Sequence, residues 1–187
     1  MIQSEPLPHP DHLPWYALQV QSRLIHVASI TLRDRGYQEF LPLYTSRRRW
    51  SDRIKELNLP LFPGYLFCRF DATRRLPVLT TPGVIGVVGF GRNPVPIDEG
   101  EMQAIHRVIQ TGIAAQPWKY IESGRRVCVE HGALRGLEGI FVKTQKDHRL
   151  LLSVTLLQRS VAVQIDETCV VPCRTGLLAC PSNPFTA

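Results

Sequence analysis

The spacing of apolar residues changes character once along this 187-residue chain, close to Gly112. Before that point two segments carry helical spacing. Ile25, Ala28 and Leu32 form one apolar stripe, with Ser22 placed to cap it and Gly36 suited to the residue just past its end. Met102, Ile105 and Ile109 form the second. It is opened by Asp98, with Glu101 three residues on in capping-box position, and stopped by Gly112. After Gly124 helical spacing is gone. Val127/Val129, Ile140/Val142, Leu150/Leu152/Val154/Leu156, Val161/Val163/Ile165 and Val170 alternate as strands do, separated by turn residues such as His131-Gly132 and Lys146-Asp147. One chain with two such patterns calls for two differently built halves.

The first half also carries strands. Trp15–Gln21 alternates around Tyr16, Leu18 and Val20; Glu39–Tyr44 is a second strand, bent or at an edge because of Pro42. Polar Thr45–Asn58 reads as a loop or solvated hairpin. Leu61–Phe70 is a turn feeding a strong central strand, and Gly83–Phe90 is a further strand punctuated by glycines. The predicted fold is therefore an α+β N-terminal domain, an antiparallel sheet flanked by helices, over residues 15–112. Residues 124–174 are predicted to form a small all-β barrel. Residues 113–123, with no clear period and Pro117 among them, read as a linker. Residues 1–14, with four prolines and no positively charged apolar start, read as a disordered leader rather than a signal peptide, and 175–187 as a flexible tail.

Composition narrows the function classes. Lys+Arg 22 against Asp+Glu 16 gives +6, and the pI is about 9.3, a balance suited to a polyanionic neighbour. No apolar run approaches the ~18 residues of a membrane helix, so no membrane role and a cytoplasmic location are expected. The phosphate-binding, zinc-protease and serine-hydrolase signatures GxxxxGK[ST], HExxH and GxSxG are absent, and the six histidines are dispersed. The expectation is a non-enzyme with no cofactor and no metal. Five scattered cysteines without a CxxC fit a reducing compartment. Cys169, Cys173 and Cys180 are soft-ligand candidates, or simply structural thiols.

Two residue sets stand out as candidate binding groups. Arg47, Arg48, Arg49, Arg53 and Lys55, with Trp50 among them, combine planar cations and an aromatic ring. That mixture suits phosphate pairing with base stacking, and equally a solvated loop tempered by Asp52 and Glu56. Trp15, Tyr16, Phe62, Tyr65 and Phe67 are divided by strand alternation between a core and an opposite face that can anchor a protein.

Trp15-Tyr16-Ala17-Leu18, Phe40-Leu41-Pro42, Leu61-Phe62-Pro63-Gly64-Tyr65-Leu66-Phe67 and Thr81-Pro82-Gly83-Val84 resemble, in that order, the N-terminal (NGN) domain of NusG-type transcription factors. Gly124-Arg125-Arg126-Val127 through Gly132–Ile140, then Val154–Arg159 and Val161-Ala162-Val163, resemble the family's C-terminal KOW domain, an SH3-like barrel. The resemblance spans about residues 15–173, and the Leu-Phe-Pro-x-Tyr-Leu-Phe wording is nearer to specialised paralogs such as RfaH. It implies a bacterial elongation or antitermination factor that docks an aromatic pocket on the β′ clamp helices of RNA polymerase and bridges toward the β subunit. The positions so implied are Trp15, Tyr16, Phe62, Tyr65, Phe67 and Val84. It implies contact with non-template DNA near Arg47–Arg49, and recruitment of ribosomal protein S10 or Rho through Leu156, Leu157 and Arg159. Gln158 stands where glycine is usual and Ala133 where proline is common. Some paralogs hold this domain as an α-hairpin; the β-rich sequence here is expected to form strands instead. The competing reading is a ribosome-associated KOW RNA-binding protein.

Overall fold

The computed structural model describes residues 13–50, 53–119, 124–143 and 148–173. The leader up to residue 12, the tail with Cys180, Ser51-Asp52 and residues 120–123 of the expected linker lie outside the described residues.

The chain enters through β1 (Trp15–Val20), followed by a 3-10 turn over Ser22–Leu24 and α1 (Ile25–Asp34). Ser22 therefore does not cap α1: the helix begins three residues later, after Leu24, with no side-chain cap bond. Its end is as expected. Gly36 has φ +82° and lets Tyr37 N–H reach back to Leu32 O at 3.0 Å. The single strand anticipated at Glu39–Tyr44 is two, β2 (Gln38–Phe40) and β3 (Leu43–Trp50), parted at Leu41-Pro42. The polar segment is a long hairpin of β3 with β4 (Arg53–Pro60).

Next come β5 (Tyr65–Arg69), the single-turn α2 (Leu76–Leu79), β6 (Val84–Val87), a small hairpin of β7 (Gly89–Phe90) with β8 (Asn93–Pro94), and α3 (Glu99–Thr111). Among the described residues, β2, β5, β1 and β6 form one antiparallel sheet in that order. Gly83 is required at the mouth of β6: its φ is +87°, and a Cβ there would lie 2.6 Å from Leu24 Cβ.

Alternation splits this sheet into two faces. Tyr16, Leu18, Val20, Leu66, Cys68 and Phe70 pack against Ile25, Ala28 and Leu32 of α1. Trp15, Ala17, Phe62 and Phe67 point the other way, toward Met102, Ile105 and Val108 of α3. Burial of α3 is wider than the expected stripe: Met102, Ala104, Ile105 and Val108 are buried and Ile109 is half-buried. A helix between two layers needs two apolar faces.

The expected linker is a strand. β9 (Ala115–Lys119) pairs antiparallel with β13 (Arg159–Gln164), with Pro117 opposite Val161. Its sequence lacks alternation, but an edge strand answers to one neighbour, and sheet pairing overrides weak propensity. Together with β10 (Arg125–Val129), β11 (Glu138–Lys143), β12 (His148–Val154) and β14 (Val170–Pro172) it completes a six-stranded antiparallel sheet in the order β14-β10-β11-β12-β13-β9. Val127, Val129, Leu150, Leu152, Val154, Val161 and Val163 fill its interior. Gly139 is obligatory within it, since a Cβ would meet Leu151 O at 2.5 Å. The whole is a mixed α/β structure in which α3 lies between the two large sheets.

Candidate protein-docking site

The face of the first sheet that looks toward α3 is aromatic. Phe62 meets Phe67 edge-on at 5.3 Å between ring centroids, and Phe40 lies 6.3 Å from Phe67 and 6.5 Å from Trp15. His106, projecting from α3, stacks on Phe40 at 3.6 Å and lies 5.5 Å from Trp15. Arg69 closes one end. Its guanidinium sits 4.8 Å over the Trp15 ring and donates to Leu13 O at 2.7 Å and to Glu99 Oε1 at 2.6 Å. Sequence reasoning left Phe40, Arg69 and His106 out of the site. The helical stripe Met102–Ile105–Ile109 was the available signal for His106, which it brings next to the sheet.

Burial shapes the charges here. His106 Nε2 is buried without a hydrogen-bond partner among the described residues. Burial, then the neighbouring Arg69, lowers its pKa, with Glu99 opposing. On the α1 face, burial followed by the Asp71 charge raises Tyr16, and burial followed by Glu39 pushes the Cys68 thiol up to about 12. Cys68 is thus an inert packing residue.

Of the polymerase-binding residues suggested by the sequence, Trp15, Phe62, Phe67 and half-buried Tyr65 share the aromatic face. Tyr16 and Val84 do not: they belong to the α1 face, where the Tyr16 ring meets that of Phe70 at a tilt, 4.7 Å between centroids. Trp15 is 2% exposed, Phe62 1% and Phe67 0%. The aromatic face is covered by α3 and, beyond it, by the second sheet.

The covering layer is held by polar contacts as well as apolar ones. Asp98 caps α3 by accepting from Glu101 N–H at 3.1 Å. The Glu101 carboxylate, expected to close the capping box, instead reaches across to the second sheet. It accepts from Thr155 Oγ1 at 2.6 Å and from Thr155 N–H at 3.2 Å. Arg107 donates to Arg135 O at 2.8 Å. A cleft of about 630 Å³ runs between α3 and the second sheet, lined by Glu101, Arg107, Arg126, Leu137, Ile140 and Leu151 among others.

The late candidate set lies at this junction. Thr155–Leu157 form a 3-10 turn in which Leu157 is buried, Leu156 is half-buried against the shared core, and Arg159 is exposed. Gln158 follows with φ +48°, the one non-glycine residue of positive φ among those described.

The cationic hairpin stands apart from the aromatic face. Arg47 pairs with Glu56 at 2.8 Å across the ladder, where both are exposed, so this arginine is partly neutralised. Arg48 stands opposite Lys55, Arg49 opposite Ile54 and Trp50 opposite Arg53 in register. Arg48, Arg49 and Arg53 are described by backbone alone.

Among the described residues there is no group of three or more His, Cys, Asp or Glu placed to hold a metal ion, and no helix long and apolar enough to cross a membrane.

Comparison with known proteins fits this arrangement. The family described as "Transcription termination factor nusG" matches residues 13–106, which end within α3. The transcription termination/antitermination protein NusG of Lactococcus lactis is 28% identical over 158 residues, covering 81% of this chain and 84% of that one. The NusG of Thermus thermophilus is 26% identical over 159 residues, covering 78% and 85%. A solved structure titled "Domain interaction in Thermotoga maritima NusG" superposes with a TM-score of 0.55 at 18% identity, covering 88% of this chain and 99% of that chain, a likeness of fold. With half of its length matched by the family and most of it aligned to these relatives, the chain belongs to the NusG family of transcription termination/antitermination factors.

Proposed function

We propose that this chain is a two-domain, non-enzymatic elongation or antitermination factor of the cytoplasm that grips RNA polymerase through the aromatic face of its first sheet. Residues 15–112 act as the NGN domain and 124–174 as a KOW domain of SH3-like barrel type, with 113–123 connecting them, a leader at 1–14 and a tail at 175–187. Trp15, Phe62, Tyr65 and Phe67 meet the β′ clamp helices. The same domain reaches the β subunit, and the bridge suppresses pausing or termination. Tyr16 and Val84 contribute by holding the sheet to α1. The β3–β4 hairpin, with Arg47, Arg48, Arg49, Arg53 and Lys55, lies near non-template DNA. The KOW domain recruits ribosomal protein S10 or Rho through Leu156, Leu157 and Arg159.

The observation that carries the reading is the division of one sheet into two aromatic faces. The α1 face is closed by its own helix, whereas the other is closed by α3 and a second sheet held on through Glu101–Thr155 and Arg107–Arg135. A large apolar face under a separable layer is what a protein anchor needs. The aromatic face is covered by α3 with the second sheet joined to it, so polymerase binding requires that layer to part from the first sheet.

Co-purification with RNA polymerase tests this. Tyr65→Ala is expected to lose most of the bound polymerase while remaining folded. Recovery equal to the unmodified chain would overturn the pocket. For the hairpin, replacing Arg47, Arg48 and Arg49 by glutamine is expected to flatten the salt dependence of DNA binding; an unchanged slope would return it to solvated surface.

A further inference from the structure

The connector between the two halves is a strand, and its position in the second sheet is informative. β13 reads Arg159-Ser160-Val161-Ala162-Val163-Gln164, without proline or glycine, and five of its residues pair with β9. Stripped of β9 it would be a regular, unprotected edge, able to template a new strand. β9 covers it and carries Pro117 at its centre, which donates no ladder bond and so blunts further growth. β9 also contributes side chains on both faces. Ala115 packs against the shared core, and Trp118 lies beneath the Arg149 guanidinium at 5.5 Å.

The same strand sets how far the halves can part. Gly112, Ile113 and Ala114 alone separate α3 from β9, so Thr111 to Ala115 is four Cα steps, at most about 14 Å. If β9 detaches, the tether runs from Thr111 to Arg125, fourteen steps, or up to about 50 Å. Attached, β9 keeps the second sheet within reach of α3 and guards β13. Detached, it frees both.

From this topology we propose that β9 is a releasable guard strand and that the β13 edge beneath it is a docking site for an extended segment of a partner protein. The proposal rests on the partner role given above to Leu156, Leu157 and Arg159, since Arg159 opens β13 and the other two lie in the turn before it. β9 is the template for the occupant's chemistry: an extended main chain, a small apolar residue in place of Ala115, and an aromatic ring facing Arg149. Binding there competes with β9, so partner capture lengthens the tether between α3 and the second sheet.

Hydrogen–deuterium exchange of the full chain tests the guard strand without any partner. Amides of the β9–β13 ladder are expected to exchange at least about tenfold faster than those between β11 and β12. Equal protection across the six strands would overturn the proposal. Gln116→Pro, which removes a donor beside Pro117 and clashes with continued pairing, is expected to expose β13. A labelled synthetic copy of residues 113–121 should then bind that variant at least about tenfold more tightly than the unmodified chain. A folded variant that ignores the peptide, or that dimerises through β13 instead, contradicts it. Arg159→Ala is expected to weaken partner recruitment and leave the exchange pattern unchanged, which separates failure of the partner reading from failure of the guard strand.

Discussion

The two faces of the first sheet are made by the same strands and do different work. β1 sends Tyr16, Leu18 and Val20 to one side and Trp15 and Ala17 to the other, and β5 divides Leu66 and Cys68 from Tyr65 and Phe67. The α1 face is sealed by a helix joined to β1 through the short turn at Ser22–Leu24, so its cover cannot leave without unfolding. The opposite face is covered by α3, to which the sequence-distant second sheet is joined by a carboxylate on two donors of Thr155 and a guanidinium on the Arg135 carbonyl. Apolar burial alone therefore does not tell a permanent core from a masked binding surface. The connectivity of the cover does.

Substitutions that break each face should separate them, the largest effect first. Leu66→Ala, on the α1 face, is expected to destabilise the fold by about 2–5 kcal/mol, read as a lowered urea midpoint with an unchanged slope. Tyr65→Ala, one residue away and half-buried on the other face, should cost about 1 kcal/mol and act mainly on polymerase binding. If the two variants lose stability equally, the faces are equivalent cores and the distinction fails.

Glu101→Ala comes next. It removes an acceptor shared by Thr155 N–H and Oγ1, an exposed contact, so about 0.5–1.5 kcal/mol of attachment between α3 and the second sheet is expected to go. Exposure of Trp15 to an aqueous quencher should rise. No change in quenching would mean that the apolar contacts alone hold the layer.

A pH titration sharpens the contrast, because His106 lies on the aromatic face. Its folded pKa is below the ordinary 6.5, so the folded state resists protonation that the unfolded chain accepts. Stability is therefore whole above about pH 6.5 and falls as pH drops through the window below it. Asp71 and Asp166, held low by hydrogen bonds from Thr73 and Thr168, weaken the fold only as pH falls below their ordinary 3.8, a separate window. His106→Gln should remove the first loss and spare the second, followed by thermal melts from pH 7 to 2. The smallest effect concerns the junction turn: Gln158→Gly should raise stability by about 1 kcal/mol by relieving a left-handed backbone.

Much of this was legible in the residues. Asp98, Gly112 and Gly36 bound their helices as local chemistry dictates, and alternation located the strands of the second sheet. What escaped were features decided by distant partners. β9 exists because β13 offers an edge, which nothing within Ala115–Lys119 announces. Ser22 yielded its capping role to a turn whose entrance is fixed by Gln21 N–H on Gly83 O at 2.9 Å. Glu101 was read as a local cap and is an interlayer contact, because a carboxylate at the third helical position can turn either way. Of the candidate set, Trp15, Phe62, Tyr65 and Phe67 share one face, whereas Tyr16 and Val84 fall on the α1 face. Phe40 and His106 joined the other face from a short edge strand and from a helix.

The central proposal is that the aromatic face is a polymerase-docking surface masked by α3 together with the second sheet. Its most direct test is the affinity of purified RNA polymerase for the Glu101→Ala, Arg107→Ala double variant. Loosening the cover raises the fraction of competent molecules, so apparent affinity should rise by at least about fivefold over the unmodified chain. An affinity unchanged or lowered, in a protein whose cover is demonstrably loosened, would contradict the account.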